Sequence, residues 1–151
     1  MATQTVQSVS FLSYLFHTMR QYGPFLVIVP LSTITAWQSQ FATWAPDLNV
    51  ITYIGTAVSR DVIRKYEFGA STKKLKMNVL LTTYEITLRD VKELGEIKWQ
   101  VLAVDEVREC WVLWRKGRGG LMEELCRLIG SRIRRVSCMK HYGHSLLPRS
   151  C

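Results

Sequence analysis

A chain of 151 residues, 48% hydrophobic and 21% charged, has the balance of one globular domain and excludes a disordered or collagen-like polymer. Its net charge of +8 invites an acidic partner, but the charge is unevenly placed: residues 1–106 carry ten Lys/Arg against nine Asp/Glu, and residues 107–151 carry ten against three. All four cysteines (Cys110, Cys126, Cys138, Cys151) lie in the second stretch, so two texts of different composition meet near residue 107. No apolar run reaches the roughly 18 residues that cross a bilayer. No Lys or Arg precedes the apolar stretch Val9–Phe16, as a secretory signal would require. The expectation is therefore no membrane insertion, no export, and cysteines held as reduced thiols.

The first segment reads as a helix, because Val6, Val9, Leu12, Phe16 and Met19 recur at three- and four-residue steps before Tyr22-Gly23-Pro24 ends it. Phe25–Val29, β-branched and bounded by prolines, has the look of a strand buried on both faces. Ser32 and Thr33 can cap a second helix whose Ile34, Trp37, Phe41 and Trp44 share one stripe until Pro46. Val50–Ile54 is a second strand closed by Gly55, and Ser59-Arg60-Asp61 opens a helix with Val62 and Tyr66 on one face. A basic turn, Lys73–Lys76, leads into a strand at Asn78–Thr83. A helix from Tyr84 to about Leu94 follows, and then a fourth strand, Trp99–Val104, that ends on Asp105-Glu106. Strands alternating with helices at this spacing predict an α/β fold, a parallel sheet with crossover helices on both faces.

In open parallel sheets the ligand site forms at the carboxyl ends of the strands, where loop amides and helix starts converge. Those ends are Pro30–Thr33, Tyr53–Gly55, Thr82–Glu85 and Val104–Glu106. An apolar strand ending in Asp-Glu suits a Walker B site: Asp105 can hold Mg²⁺ through water, and Glu106 can orient and deprotonate an attacking water. The same pair also reads as a solvated turn, just as Ser32 and Thr33 read equally as plain helix caps.

The order YGPFLVIVPLSTITAW, LLTTYE, VLAVDE resembles the first RecA-like ATPase lobe of SWI/SNF-type helicases, most nearly that of the chromodomain-helicase-DNA-binding (CHD) chromatin remodellers, over residues 5–106. The resemblance implies a partial RecA-like lobe belonging to an ATP-dependent DNA translocase of the nucleus, with ATP and Mg²⁺ as cofactors and DNA or the nucleosome as partner. Carried over, Pro30, Leu31, Ser32 and Thr33 match the family's motif Ia, and Thr82, Thr83, Tyr84 and Glu85 its motif Ib, both of which lie along DNA. Thr5 and Gln7 match the end of the nucleotide motif and the helix behind it, and Asp105 and Glu106 the start of the Asp-Glu-Ala-His box.

Departures from the pattern shape the expectation as much as the matches do. Gln4 stands where the family places the lysine of Gly-Lys-Thr, so the charge that meets the β/γ-phosphates is missing and ATP binding should be weak. Val107-Arg108 replaces Ala-His, and the second ATPase lobe has no counterpart here. This chain alone is therefore expected to be inactive, with a non-enzymatic DNA- or partner-binding role through the basic tail as the alternative.

Residues 107–151 read as a second, unrelated region. Every valine codon begins with GT, as intron donor sites do, so an intron read through from Val107 would produce such a tail. Within it, residues 121–136 pattern as a basic amphipathic helix, with no strand in view. Cys126, Cys138, His141 and His144 could be assembled around zinc but lack a paired Cys-x-x-Cys, which leaves free thiols as the plainer reading.

Overall fold

A computed structural model describes residues 2–68, 75–105 and 135–138, with side chains described over 5–68 and 75–105. Helix α1 (Ala2–His17) precedes strand β1 (Phe25–Ile28). A 3-10 turn (Leu31–Thr33) leads into α2 (Ile34–Trp44), followed by β2 (Val50–Tyr53) and α3 (Ala57–Ile63), which a π-type turn prolongs to Phe68. Strand β3 (Val79–Thr82), the short helices α4 (Tyr84–Arg89) and α5 (Val91–Gly95), β4 (Val101–Val104) and β5 (Arg135–Cys138) complete the described chain. All strand pairs are parallel, in the order β2-β3-β1-β4-β5.

Parallel strands covered on both faces need apolar residues at every position, and β1, β3 and β4 are buried throughout. Alternation then divides them between two cores. Phe25, Val27 and Val29 join Val79, Leu81, Val101 and Ala103 beneath α1 and α2, while Leu26, Ile28, Leu80, Leu102 and Val104 pack with α3, α4 and α5. The connection from β1 to β2 runs one way across the sheet on the α2 face. Those from β2 to β3 and from β3 to β4 run the other way on the opposite face, as a uniform crossover hand requires.

The periodic residues place the helices, with local corrections. In α1 the buried line is Val9, Leu12 and Leu15; Phe16 is only partly buried, and Met19 is exposed beyond the end of the helix. On α2, Ile34, Trp37 and Phe41 enter the core, but Trp44 is 55% exposed and its indole donates to Gln40. Thr33 does not cap α2 through its side chain; its hydroxyl donates back to the Pro30 carbonyl and closes the preceding turn. Thr56, rather than Ser59, caps α3, and both Val62 and Tyr66 face solvent while Arg60 and Phe68 are buried. The single helix expected from Tyr84 is broken at Asp90 into α4 and α5.

Lys73 and Lys74 of the basic turn, residues 106–134 (Cys126 among them) and the histidines His141 and His144 lie outside the described residues. Within the tail, Arg135–Cys138 form a strand, where the sequence reading carries a helix to residue 136. The physical reason is β4: a fully buried strand has two edges, β1 covers one, and Arg135–Cys138 pairs with the other in the register Val101↔Arg135.

Candidate functional site

Three strand ends emerge side by side, because β3, β1 and β4 are neighbours in that order. Backbone bonds extend the ladder past the strands and fix their relative height: Val29 N–H donates to Thr82 O at 2.9 Å, and Asp105 N–H donates to Ile28 O at 2.9 Å. The turn Pro30–Thr33 therefore sits between Thr82–Glu85 on one side and Asp105 on the other. Helix α1 reaches the same end of the sheet with its first turn, since its last turn lies at the opposite end, where His17 meets Asp47 at 3.5 Å just before β2. That places Thr5, half-buried, and Gln7, exposed, toward the carboxyl edge.

The motif residues divide by exposure. In the first turn Pro30 is buried, Leu31 and Ser32 are exposed, and Thr33 is half-buried. In the second, Thr82 is fully buried and its hydroxyl donates to Tyr53 O at 2.7 Å, so this side chain is spent on holding β2 to β3. Thr83 caps α4 by accepting from Ile86 N–H, Tyr84 is buried, and Glu85 is exposed in an ion pair with Arg89 at 2.6 Å. What this edge offers a ligand is accordingly the exposed residues Leu31, Ser32 and Glu85, with Thr33 and Thr83 used as turn closures.

Asp105 is half-buried at the end of β4. Its Oδ2 accepts a hydrogen bond from the Trp37 indole N–H at 3.1 Å, and its backbone carbonyl accepts one from the Tyr84 hydroxyl. Glu106 lies outside the described residues. A partly solvated carboxylate at a sheet's carboxyl edge is a hard oxygen donor of the kind Mg²⁺ takes. Among the described residues no three His, Cys, Asp or Glu side chains converge; Mg²⁺ is usually held by one or two carboxylates together with water and phosphate oxygens.

Sequence reasoning missed a buried polar cluster beside these turns. Asp90 accepts from Arg60 through both oxygens (Nε–Oδ2 2.6 Å, Nη2–Oδ1 3.1 Å) and from the Tyr53 hydroxyl at 2.5 Å, while Arg64 lies 3.4 Å away. Burial pushes the Asp90 carboxyl up, but the hydrogen bonds from Arg60 and Tyr53, reinforced by the charges of Arg60 and Arg64, outweigh it and hold the group below its ordinary value. Burial, together with the anionic acceptor Asp90, drives the Tyr53 hydroxyl well above its usual range. The cluster joins the end of β2, helix α3 and the break between α4 and α5. An Asp at a helix break and an Arg inside a helix give no sequence signal of pairing across 30 residues.

Residues 2–111 match the SNF2-related domain. The chain is 52% identical over 104 residues to chromodomain-helicase-DNA-binding protein 1 of Gallus gallus and 51% identical over 104 residues to that of Homo sapiens. It is 50% identical over 106 residues to Protein CHROMATIN REMODELING 5 of Arabidopsis thaliana. Each match covers 68% of this chain, and the chain spans only about 6% of the length of these relatives. Among solved structures, the Sulfolobus solfataricus SWI2/SNF2 ATPase core in complex with dsDNA superposes with a TM-score of 0.65 at 22% identity. That match covers 89% of this chain and 24% of the other, a likeness of fold. No helix among the described residues is long and apolar enough to cross a membrane.

Proposed function

The chain belongs to the SNF2-related domain family, and from that premise we propose that it is part of the first lobe of an ATP-dependent chromatin remodeller, acting on DNA in the nucleus. The observation that carries the reading is the fixed row of strand ends, Thr82–Glu85, Pro30–Thr33 and Asp105, tied by the Val29–Thr82 and Asp105–Ile28 hydrogen bonds. Turns that present backbone amides and a hydroxyl can bond phosphate oxygens at any sequence, which is what a translocase needs. In this reading Ser32 and the turn backbone around Leu31 and Glu85 face the DNA backbone. Pro30, Thr33, Thr82, Thr83 and Tyr84 hold those turns in place.

Asp105 would hold Mg²⁺ through water, Glu106 would activate the attacking water, and Thr5 and Gln7 would border the phosphates of ATP. Mg²⁺, when bound, supplies neutralising charge to those phosphates. Gln4 offers them no positive charge, so nucleotide binding by this chain is weak and DNA binding is the activity that persists. The basic residues of 107–151 add sequence-independent attraction to the same partner.

The test is duplex-DNA affinity of the full chain by fluorescence anisotropy at low salt. Ser32→Glu should weaken binding roughly tenfold by setting a carboxylate against phosphate, while Thr43→Glu, exposed in the last turn of α2, should change it little. Equal affinity for both variants and the unsubstituted chain would discard the placement of DNA on these turns. Mg²⁺-ATP turnover measured in parallel should be close to background, with or without DNA.

A further inference from the structure

The Trp37 and Tyr84 contacts to Asp105 come from opposite faces of the sheet. Trp37 sits on α2 in the core shared with α1, whereas Tyr84 opens α4 in the core shared with α3 and α5. Both side chains are almost wholly buried, Trp37 at 1% and Tyr84 at 9% exposure. A buried indole N–H or phenol must find an acceptor, and here each finds one on the same residue: the carboxylate for Trp37, the backbone carbonyl for Tyr84. Each is also joined to one of the proposed DNA-facing turns. Trp37 stands in the first turns of α2, directly after Leu31–Thr33, and Tyr84 follows the capping Thr83.

We propose that Trp37 and Tyr84 are positioning residues for Asp105, through which the turns after β1 and β3 set the aim of the carboxylate at the end of β4. The claim deepens the divalent-cation reading of Asp105 and rests on it. A carboxylate held by one indole N–H has one oxygen's direction fixed, and a backbone carbonyl held by a phenol fixes the peptide that carries it. Displacing either turn therefore moves the donor and, with it, the acceptor. Outer contacts of this kind ordinarily matter to a cation ligand nearly as much as the ligand itself.

The experiment uses the full chain, with its tryptophan indoles labelled with ¹⁵N and the Trp37 resonance assigned by its loss in Trp37→Phe. Asp105→Asn should shift that resonance. Tyr84→Phe should shift it too, although the phenol lies across the sheet, whereas Tyr53→Phe, which removes a hydroxyl in the same core that bonds Asp90 instead, should leave it in place. Mn²⁺ alone, titrated while the Asp105 backbone amide is followed for paramagnetic broadening, should require roughly tenfold more metal in Trp37→Phe and in Tyr84→Phe than in the unsubstituted chain. A Trp37 indole indifferent to Tyr84→Phe, or a Mn²⁺ response in either variant equal to that of the unsubstituted chain, overturns the proposal. If Mn²⁺ broadens nothing in the unsubstituted chain, the cation reading of Asp105 fails, and the indole comparison still decides whether the two side chains position that residue.

Discussion

Replacing Asp90 with Asn tests how much of this domain's stability rests on one buried charge. Asp90 is 5% exposed, and its carboxylate receives three hydrogen bonds, two from Arg60 and one from Tyr53. Arg60 is equally buried, and its remaining described bond runs from Nη1 to Gly55 O at 2.7 Å. Asn keeps the shape but offers one acceptor oxygen for three donors, turns an NH₂ toward a guanidinium or phenol, and strands the Arg60 charge. Breaking a buried pair from one side costs about 3–5 kcal/mol. With a urea dependence of about 2 kcal/mol per molar, the unfolding midpoint of Asp90→Asn should fall by roughly 1.5–2.5 M at pH 7.

The pH dependence has a definite sign. Because the folded carboxyl titrates below its unfolded value of about 3.9, its contribution is fully present above that pH and is lost as pH falls through the folded value. The gap between the two proteins should therefore narrow below about pH 4. Urea unfolding followed by far-ultraviolet circular dichroism at pH 7, 4 and 3 measures both effects. A midpoint within about 0.3 M of the unsubstituted chain at pH 7, or a gap unchanged down to pH 3, would refute the reasoning. Asp61→Asn is the control, since Asp61 pairs with Arg64 in the open and its loss should leave the midpoint where it was.

Three further outcomes follow from particular contacts. Tyr53→Phe removes the hydroxyl between Asp90 and Arg64 while keeping the stacked ring against Phe68, and should lower stability by about 1–3 kcal/mol in the same urea assay. Gly23 has φ +87° and a Cβ there would meet the Asn78 carbonyl oxygen at 2.5 Å, so Gly23→Ala should cost roughly 2–3 kcal/mol, read as a lower thermal midpoint; an unchanged midpoint would show that the turn relaxes freely. In β5, consecutive N–H groups point to opposite edges, so of Val136→Pro and Ser137→Pro one removes a donor to β4 and the other does not. One should destabilise by about 3 kcal/mol and its neighbour far less, and two equal, small losses would mean that the strand adds little.

Local pattern decided the part of this protein that depends on neighbours in sequence. Short apolar runs bounded by turn residues read as strands covered on both faces, which is why Phe25–Ile28, Val79–Thr82 and Val101–Val104 were legible as a parallel sheet with helices on both faces. The order of the strand-end motifs pointed to the family, which the match over residues 2–111 bears out. Tertiary structure alone decided which polar groups face inward. Thr82 and Ser32 look alike in sequence, yet one hydroxyl is spent on Tyr53 O and the other is exposed. Arg60 and Asp90 read as surface charges until the crossover brings α3 against the α4–α5 break, and Trp37 reads as an apolar knob until β4 delivers Asp105 to its indole. Periodicity records which face of an element is apolar; it carries no information about which distant donor meets which acceptor, because that pairing is fixed by strand order and register. The strand at Arg135–Cys138 shows the same limit, since what calls for it is the far edge of β4 and not its own sequence.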